Sequence, residues 1–518
     1  MTPKTLVALL LLLCPLVLHA EIKDAAVAER YALWTQNLIN DGYWAEALLA
    51  LERASDFADV SSDISYLLAL ARSHENKPRQ TVLEALEISL ETGLWKNYRP
   101  GDARLLKAEQ LVALRLYQET LEELSLVSMS VREAELRLKA LVALNNSAFL
   151  RYMADTLDRY PRDTGPARIF FTYLKNRDLS ARKAGEEELQ ILELLVRRLP
   201  VLLLKDPELA WMAAPFMRDN DGARRLLLAY RALHKPVPAS LPPALKLGVI
   251  DEINALEELF NASNTCLDIS LLDEFWGLLR RDEERRLFRR NLSVFSGVII
   301  EDADRDGIYE TFAEYGRGVL RSSTYDPSQS GVPDLVIHYE AGNPAGAMYL
   351  LPPESSKGPP SRKALKLVWE RYPAVLEAEL DGVRFIPRPF DFHFSPVKFT
   401  EFLGLLFPKR DPLSPPLTRR VLVSQSLRVE RPSPEFEGAI EVVELSAGIP
   451  VRAREFSGDL MISETEFLRG RPLLQRVDLD FDGRMETSRQ FNKTYPLPEF
   501  EDLWDYKRII DRVTESME

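Results

Sequence analysis

The chain has 518 residues, of which 46% are hydrophobic and 28% charged, and its formal net charge at pH 7 is −13. A single hydrophobic core does not support a chain of this length, so several domains are expected. The acidic balance repels phosphate backbones and anionic lipid surfaces, and it disfavours nucleic-acid binding.

Residues 1–20 have the pattern of a secretory signal peptide. Lys4 precedes an apolar run from Leu6 to Leu18, and the small residue Ala20 precedes the charged residue Glu21. This run is shorter than the roughly 20 apolar residues that a membrane helix needs. We therefore predict an exported protein of the periplasm or cell surface, cleaved near Ala20 and without a membrane span.

Two cysteines bear on how the exported chain is held together. Cys14 leaves a lipid anchor open, although Leu13 stands where a lipoprotein signal has a small residue. Cleavage of the signal peptide leaves Cys266 as the sole cysteine, so no intramolecular disulfide is expected. Stability must then come from packed cores, and bound metal is a further possible source.

Residues 21–290 are predicted to form an α-helical solenoid. Ala, Leu, Glu and Arg dominate this part, and apolar residues recur at intervals of three and four. Turn-forming residues interrupt the pattern, and together they imply helical hairpins of roughly 30 to 40 residues, the size of a solenoid repeat. These interruptions are Asn40-Asp41-Gly42, Asn76-Lys77-Pro78, Arg99-Pro100-Gly101-Asp102, Asn145-Asn146-Ser147 and Tyr160-Pro161-Arg162-Asp163.

Small residues and one large apolar residue recur at set positions of the first hairpin. They are Gly42, Ala47, Leu51 and Ala54. At these positions, and at the closing proline Pro161, residues 28–174 resemble the tetratricopeptide repeat family. The resemblance implies stacked hairpins whose concave face binds an extended peptide or another protein. The alternative is that the apolar stripes only pack against one another.

A proline-rich segment, Lys235 to Pro243, predicts a break in this helical region, because proline lacks an amide donor and clashes with the preceding turn. Two further helices, Ala244 to Asn261 and Asp268 to Asn291, are predicted to follow.

Residues 291–498 are predicted to form an antiparallel β-meander, and residues 499–518 a C-terminal helix. The hydrophobic period shifts toward two after Asn291, and glycines recur at intervals that suit hairpin turns. These glycines are Gly307, Gly318, Gly331, Gly342, Gly448, Gly458, Gly470 and Gly483. The predicted fold class is therefore α+β multidomain, an α-solenoid followed by a β-hairpin repeat domain.

Two segments of the strand half, residues 302–310 and 478–486, share the pattern D-x-D-x-D-G-x-x-E. Aspartates at alternate positions place hard oxygens around one point, and the glycine permits the sharp turn that wraps them about a cation such as Ca²⁺. A twelve-residue EF-hand loop is excluded, because its twelfth position holds Ala313 or Arg489 instead of glutamate. A pair of solvated acidic hairpin turns is the alternative.

The two segments resemble the aspartate-rich hairpin repeats of exported bacterial proteins. The resemblance implies a structural calcium ion in each loop, held by side-chain carboxylates and one backbone carbonyl. The implied ligands are Asp302, Asp304, Asp306, the Ile308 carbonyl and Glu310, and then Asp478, Asp480, Asp482, the Arg484 carbonyl and Glu486.

An internal duplication accompanies the first motif. A shift of 24 residues sets Asp302 on Asp326 and places serines opposite two of the aspartates. This copy has Ser328 and Ser330 at those positions, so it should bind metal poorly.

The sequence contains no G-x-S-x-G, H-E-x-x-H, phosphate-loop or dinucleotide-binding pattern. We therefore predict a noncatalytic cell-envelope scaffold or adaptor whose solenoid binds a protein. The alternative is an envelope glycan-binding protein or glycan hydrolase that uses a carboxylate pair near the aromatic stretch Phe385 to Phe394. Such aromatics more commonly fill a core.

Overall fold

The computed structural model describes residues 26–177, 185–261, 266–351, 363–388, 390–414, 416–433 and 436–491. The predicted signal peptide and the predicted C-terminal helix lie outside these residues. Within them the predicted α+β layout is confirmed: helices occupy the N-terminal part to residue 293, an antiparallel meander follows, and a short helix interrupts it.

The helices begin with α1 at residues 26–40. Those that follow are α2 (Trp44–Arg53), α3 (Ser62–His74), α4 (Arg79–Thr92), α5 (Pro100–Ala113), α6 (Tyr117–Ser125), α7 (Val131–Ala143), α8 (Phe149–Arg159), α9 (Gly165–Asn176), α10 (Glu186–Leu202), α11 (Leu209–Ala213), α12 (Asn220–Leu233), α13 (Leu241–Lys246), α14 (Glu252–Asn261), α15 (Ile269–Leu278), α16 (Asp282–Ser293) and α17 (Arg419–Gln425). Short 3₁₀ helices lie at Ser55–Val60, Ala214–Phe216 and Pro238–Ser240.

Within residues 26–177, four helix-to-helix turns share one backbone geometry, which the turn at Gly248 also has. In each of them one residue has a positive φ, and the next residue donates its amide to the carbonyl five positions earlier, as in a Schellman ending. The positive-φ residues are Gly42, Asn76, Arg115 and Asn145. Their spacing of roughly 30 to 40 residues is that of a helical-hairpin repeat. Arginine is the unusual member of this set, because glycine and asparagine adopt this conformation at lower cost.

The helical part is held together by successive apolar clusters. One cluster joins residues between Ala28 and Leu106, and it includes Leu51 and Ala54, which are fully buried, as is the neighbouring Ala47. Another joins residues between Leu138 and Phe216. Burying a leucine such as Leu51 contributes roughly 1.5 to 3 kcal/mol.

The proline-rich break is confirmed at its start, since α12 ends at Leu233, but helix resumes earlier than the prolines suggest. The helix α13 begins at Leu241 and has prolines in its first turn, where no amide donor is needed. The prediction of two single helices after the break was wrong, because each of them is divided into two helices. Gly248, with a φ of 64°, separates α13 from α14, and Leu279, in an extended conformation, ends α15.

The strands are β1 (Cys266–Asp268), β2 (Gly297–Glu301), β3 (Thr311–Gly316), β4 (Val319–Tyr325), β5 (Leu335–Glu340), β6 (Asn343–Leu350), β7 (Ala364–Arg371), β8 (Ala374–Leu380), β9 (Val383–Pro387), β10 (Val397–Phe402), β11 (Leu405–Arg410), β12 (Ser426–Pro432), β13 (Ile440–Ser446), β14 (Ile449–Ser457), β15 (Leu460–Leu468), β16 (Arg471–Val477) and β17 (Thr487–Gln490).

From β3 onward the strands pair antiparallel with their neighbours in sequence, with one exception. The strands β10 and β11 form a hairpin of their own, and β9 pairs with β12 across this excursion. Several hairpin turns consist of a positive-φ residue followed by a positive-φ glycine, for example Arg317-Gly318 and Asp381-Gly382. This is the type I′ turn, and it explains the regular glycine spacing in the sequence.

The chain forms two compact units that do not follow chain order throughout. Of the described residues, unit 1 comprises those up to Arg286 together with Glu301–Glu310 and Asp326–Val332. Unit 2 comprises Leu287–Ile300, Thr311–Tyr325 and the described residues from Pro333 onward. The first D-x-D-x-D-G-x-x-E segment and its serine-containing copy therefore belong to the helical unit, whereas the second segment belongs to the strand unit.

Two hairpin glycines of unit 2 provide a matched test of packing. Gly318 and Gly382 both have a φ of 74°, but a Cβ at Gly318 would lie 2.1 Å from the Ser293 carbonyl oxygen, whereas one at Gly382 would meet nothing within 4 Å. We expect Gly382→Ala to cost about 1 kcal/mol of unfolding free energy, and Gly318→Ala roughly 1 to 3 kcal/mol more. Urea unfolding of both variants measures the difference, and equal losses would contradict the close approach of Gly318 to Ser293.

Candidate metal centres

Three turns in the chain share one backbone geometry. We call them the first acidic loop (residues 302–310), the serine loop (326–332) and the second acidic loop (478–486). In each of them the first aspartate accepts, through Oδ2, the amide of the glycine at the sixth position, at 2.8 Å in all three. Its Oδ1 accepts the amide at the fifth position, at 3.1, 3.1 and 3.3 Å. These aspartates are Asp302, Asp326 and Asp478.

The serine loop shows which contacts form the turn when the second and third aspartates of the motif are absent. It keeps the same hydrogen bonds although Ser328 and Ser330 stand at its third and fifth positions. Its fourth residue, Gln329, also has a positive φ, as do Arg305 and Phe481 in the acidic loops. At the fifth position, Oγ of Ser330 accepts the amide of Val332 at 3.2 Å, as the aspartates of the acidic loops accept the equivalent amide at 2.8 Å. Negative charge at the third and fifth positions is therefore not needed to form this backbone.

The glutamate at the ninth position folds back over each acidic loop. Glu310 accepts the amide of Ala303 and Glu486 accepts the amide of Leu479, both through Oε2 at 2.8 Å. This bond draws the glutamate toward the aspartates, so that one local contact brings together residues from both ends of the motif.

The second acidic loop gathers four carboxylates. Asp478, Asp480, Asp482 and Glu486 each offer an oxygen, and these oxygens all lie within 4.8 Å of one another. Calcium binds oxygen at about 2.3 to 2.6 Å, so ligands on opposite sides of the ion lie about 5 Å apart. The donor set therefore fits a hard divalent cation. In the part of the chain that the structure describes, no lysine or arginine forms an ion pair with these four residues.

The first acidic loop meets an arginine. Asp302, Asp304 and Glu310 have oxygens within 4.8 Å of one another, as in the second loop. The guanidinium of Arg115 lies 2.9 Å from Asp304, through Nη2 and Oδ2, and it also forms an ion pair with Glu310. Its Nε lies 3.3 Å from Oδ2 of Asp306. Arg115 is the positive-φ residue of the α5–α6 turn.

Neutral donors complete the surroundings of this loop within unit 1. The Gln329 side chain donates to Asp306 at 3.1 Å and to Glu310 at 3.3 Å. Asn176, at the end of α9, donates to the Arg305 carbonyl at 2.7 Å. The serine loop is fixed in turn by α4, because the Arg79 amide donates to the Ser330 carbonyl at 2.8 Å.

The carboxylates of the first loop repel one another even with Arg115 present. Burial, with the nearby charge of Asp306, raises the pKa of Asp302 to about 6. The same two causes raise the pKa of Asp304, and Arg115 opposes them. Burial alone would lower the pKa of Arg115, but the charge of Asp304 and the hydrogen bond to Glu310 outweigh it and raise that pKa. The loop thus favours any additional positive charge that can reach its oxygens.

The structure brings together most of the ligands implied by the sequence. Seven of the eight carboxylates belong to the two clusters, and Asp306 contacts Arg115 beside them. The carbonyls of Ile308 and Arg484 remain predicted ligands. Sequence reasoning missed Arg115 and Gln329. The sequence did contain a signal for Arg115: it stands where three equivalent helix turns have glycine or asparagine, the residues that adopt a positive φ most easily.

The aromatic stretch that the alternative function requires is used largely for packing. Phe385, Phe392 and Phe394 are buried, and Phe390 is exposed. The Phe394 carbonyl accepts the indole N–H of Trp369 at 3.2 Å. The expectation that these aromatics fill a core is confirmed for three of the four phenylalanines.

Comparison with known proteins found a distant relative of this chain and did not assign it to a family. No family model matches it. It is similar to an uncharacterized protein of Treponema pallidum (strain Nichols), with 22% identity in an alignment 597 positions long that covers 91% of this chain and 73% of the relative. This coverage includes helical and strand parts alike. Among the described residues, no helix has the length and apolarity needed to cross a membrane.

In the second loop, the contribution of each aspartate to the stability of the turn can be measured in the absence of metal. Asp478 is fully buried and accepts two backbone amides, whereas Asp480 is exposed and accepts one at 3.2 Å. With chelator present, we expect Asp478→Ala to cost about 3 kcal/mol, because two backbone amides lose a buried, charged acceptor. Asp480→Ala should cost less than about 1 kcal/mol. Denaturant unfolding tests this order, and a larger loss for Asp480→Ala would contradict it.

Proposed function

We propose that this protein is an exported, noncatalytic scaffold or adaptor of the cell envelope. Its helical unit is a tetratricopeptide-like solenoid that binds another protein or peptide, and its acidic loops hold calcium in a structural role. The observation that carries the metal proposal is the convergence of four carboxylates in the second acidic loop, since the serine loop forms the same turn without charge at the third and fifth positions.

The argument for a cation rests on comparison within the chain. The serine loop forms the same turn without the third and fifth aspartates. Neutral side chains at these positions suffice for the turn, so the charges of Asp480 and Asp482 add repulsion that the backbone does not need, and a divalent ion offsets that repulsion. Carboxylates and carbonyls are the ligands that calcium prefers in flexible loops, and the affinity expected for an exported module is modest.

The tetratricopeptide-like assignment is supported by geometry that repeats. The four equivalent turns described above have the spacing of helical hairpins. Ala47, Leu51 and Ala54, which occupy family positions in the first hairpin, are all fully buried. Small residues there allow two helices to approach closely, and the leucine fills the space between them.

The noncatalytic assignment is supported by where the chemically capable groups lie. The groups of three or more His, Cys, Asp or Glu that could hold a metal, among the described residues, are those of the two acidic loops. Two of the histidines are used elsewhere: His74 stacks on Trp44 and His234 on Tyr230. Export is supported by the signal-peptide pattern of residues 1–20.

Calcium should stabilise the mature chain against thermal unfolding. For a dissociation constant of roughly 10⁻⁴ to 10⁻³ M, about 10 mM calcium adds about 1.4 to 2.7 kcal/mol over chelator at the second acidic loop. Asp480→Ala should remove the contribution of the second loop, and Asp304→Ala that of the first.

Asp459→Ala provides the control for this experiment, because Asp459 is an exposed acid in the β14–β15 turn outside both clusters. It should leave the calcium-dependent rise in melting temperature intact. Wild-type melting curves that coincide in calcium and chelator would leave the acidic loops as ordinary turns and refute the metal assignment.

Partner binding should depend on exposed apolar side chains of the helical unit. Trp34 on α1 is 52% exposed, and Leu49 on α2 is also exposed. We expect Trp34→Ser with Leu49→Ser to abolish capture of an envelope protein by the full mature chain. Leu413→Ser, which alters an 88% exposed leucine of unit 2, should not affect it. Quantitative pull-down measures this, and dependence on Leu413 alone would reverse the assignment of roles.

A further inference from the structure

We propose that Arg115 takes the place of a metal ion in the first acidic loop. Its ion pairs hold this loop on the α5–α6 turn, and we call them the latch. Calcium that binds to the loop breaks these ion pairs and so releases the latch. The second acidic loop has no such competitor among the described residues and binds calcium directly. The inference rests on the proposed calcium function and assigns different behaviour to the two copies of one motif.

The guanidinium contacts the same carboxylates that a cation would use. Two of the three residues whose oxygens converge in this loop, Asp304 and Glu310, form ion pairs with Arg115. The third contact of Arg115 is to Asp306, the remaining acid of the motif. A divalent cation placed among these oxygens would repel the guanidinium and compete for its acceptors, so the two cannot both be bound at full strength.

The position of Arg115 in its own turn supports a specific role. It has a φ of 62°, in the left-handed region that non-glycine side chains seldom adopt. The equivalent residues of the neighbouring turns are Gly42, Asn76 and Asn145, which suit this conformation. A strained residue that persists at such a position is a sign of function when its side chain makes contacts that its neighbours lack.

The serine loop forms the opposite side of the latch. Gln329 is only 3% exposed, and its side-chain amide donates to both Asp306 and Glu310. The carboxylates of the first acidic loop therefore have one charged and one neutral donor from elsewhere in unit 1. These contacts allow it to remain folded and docked when calcium is absent.

Calcium binding should therefore differ between the loops in a measurable way. The second loop binds with the affinity of its own oxygens, whereas binding to the first loop must also break the Arg115 contacts. The half-saturating calcium concentration of the first loop is expected to be at least about tenfold higher, since about 1.4 kcal/mol of lost ion-pair energy corresponds to a factor of ten.

The test measures calcium binding calorimetrically to the full mature chain with one loop disabled at a time. In an Asp480→Ala background only the first loop binds, and adding Arg115→Gln should strengthen this binding about tenfold or more. In an Asp304→Ala background only the second loop binds, and Arg115→Gln should leave its affinity unchanged.

Arg132→Gln is the matched control, because Arg132 forms an exposed ion pair with Glu109 in the same unit, away from the loop. It removes the same charge and should leave the calcium affinity of the first loop unchanged. A second readout is stability: with chelator, Arg115→Gln should lower the melting temperature, and calcium should restore it more fully than in the wild type.

The outcomes separate failure of this inference from failure of the proposed function. If the second loop binds calcium but Arg115→Gln does not strengthen binding to the first, the competition is refuted and the proposed function stands. An equal effect of Arg132→Gln would assign the change to general charge and would also refute it. If neither loop binds calcium in any variant, both the latch release and the calcium function are wrong.

Discussion

A single carboxylate that folds back onto two backbone amides determines the shape of every acidic turn described above. In all three loops the first aspartate accepts the amides of the fifth and sixth residues, and the glycine supplies the left-handed conformation that this closure requires. Once the turn is closed, the residues at the third and fifth positions lie near the first. The charge of each loop then depends on which side chains occupy those positions.

Because the turn forms with different side chains at its third and fifth positions, one motif can have different contacts at different places in the chain. The serine loop keeps the turn and donates a hydrogen bond through Gln329. The first acidic loop keeps the turn and receives a guanidinium from Arg115, whereas the second acidic loop presents its carboxylates without an ion pair from any described lysine or arginine. Calcium and arginine are alternative solutions to the same electrostatic problem, which is the repulsion among carboxylates held within a few ångströms.

The fold class and the three loops could be predicted from sequence because they depend on local patterns. Apolar residues at intervals of three and four specify helices, and glycine before or after a short strand specifies a hairpin turn, as at Gly318. The helix limits were less accurate, because a single residue such as Gly248 can end a helix within a continuous amphipathic pattern. The Arg115 contacts could not be predicted, because 191 residues separate it from Asp306 and no local rule connects the two.

The assignment of two strand-half loops to the helical unit has a practical consequence for dividing the chain. A fragment that stops near residue 290 contains every helix-to-helix turn up to that point but lacks residues 301–310 and 326–332, which belong to the same compact unit. Arg115 would lose all three of its acidic neighbours, and the Arg79 amide would lose its carbonyl acceptor. Recombinant expression of the helical part alone would therefore yield a less stable product, and the intact mature chain is the appropriate material for biochemical work.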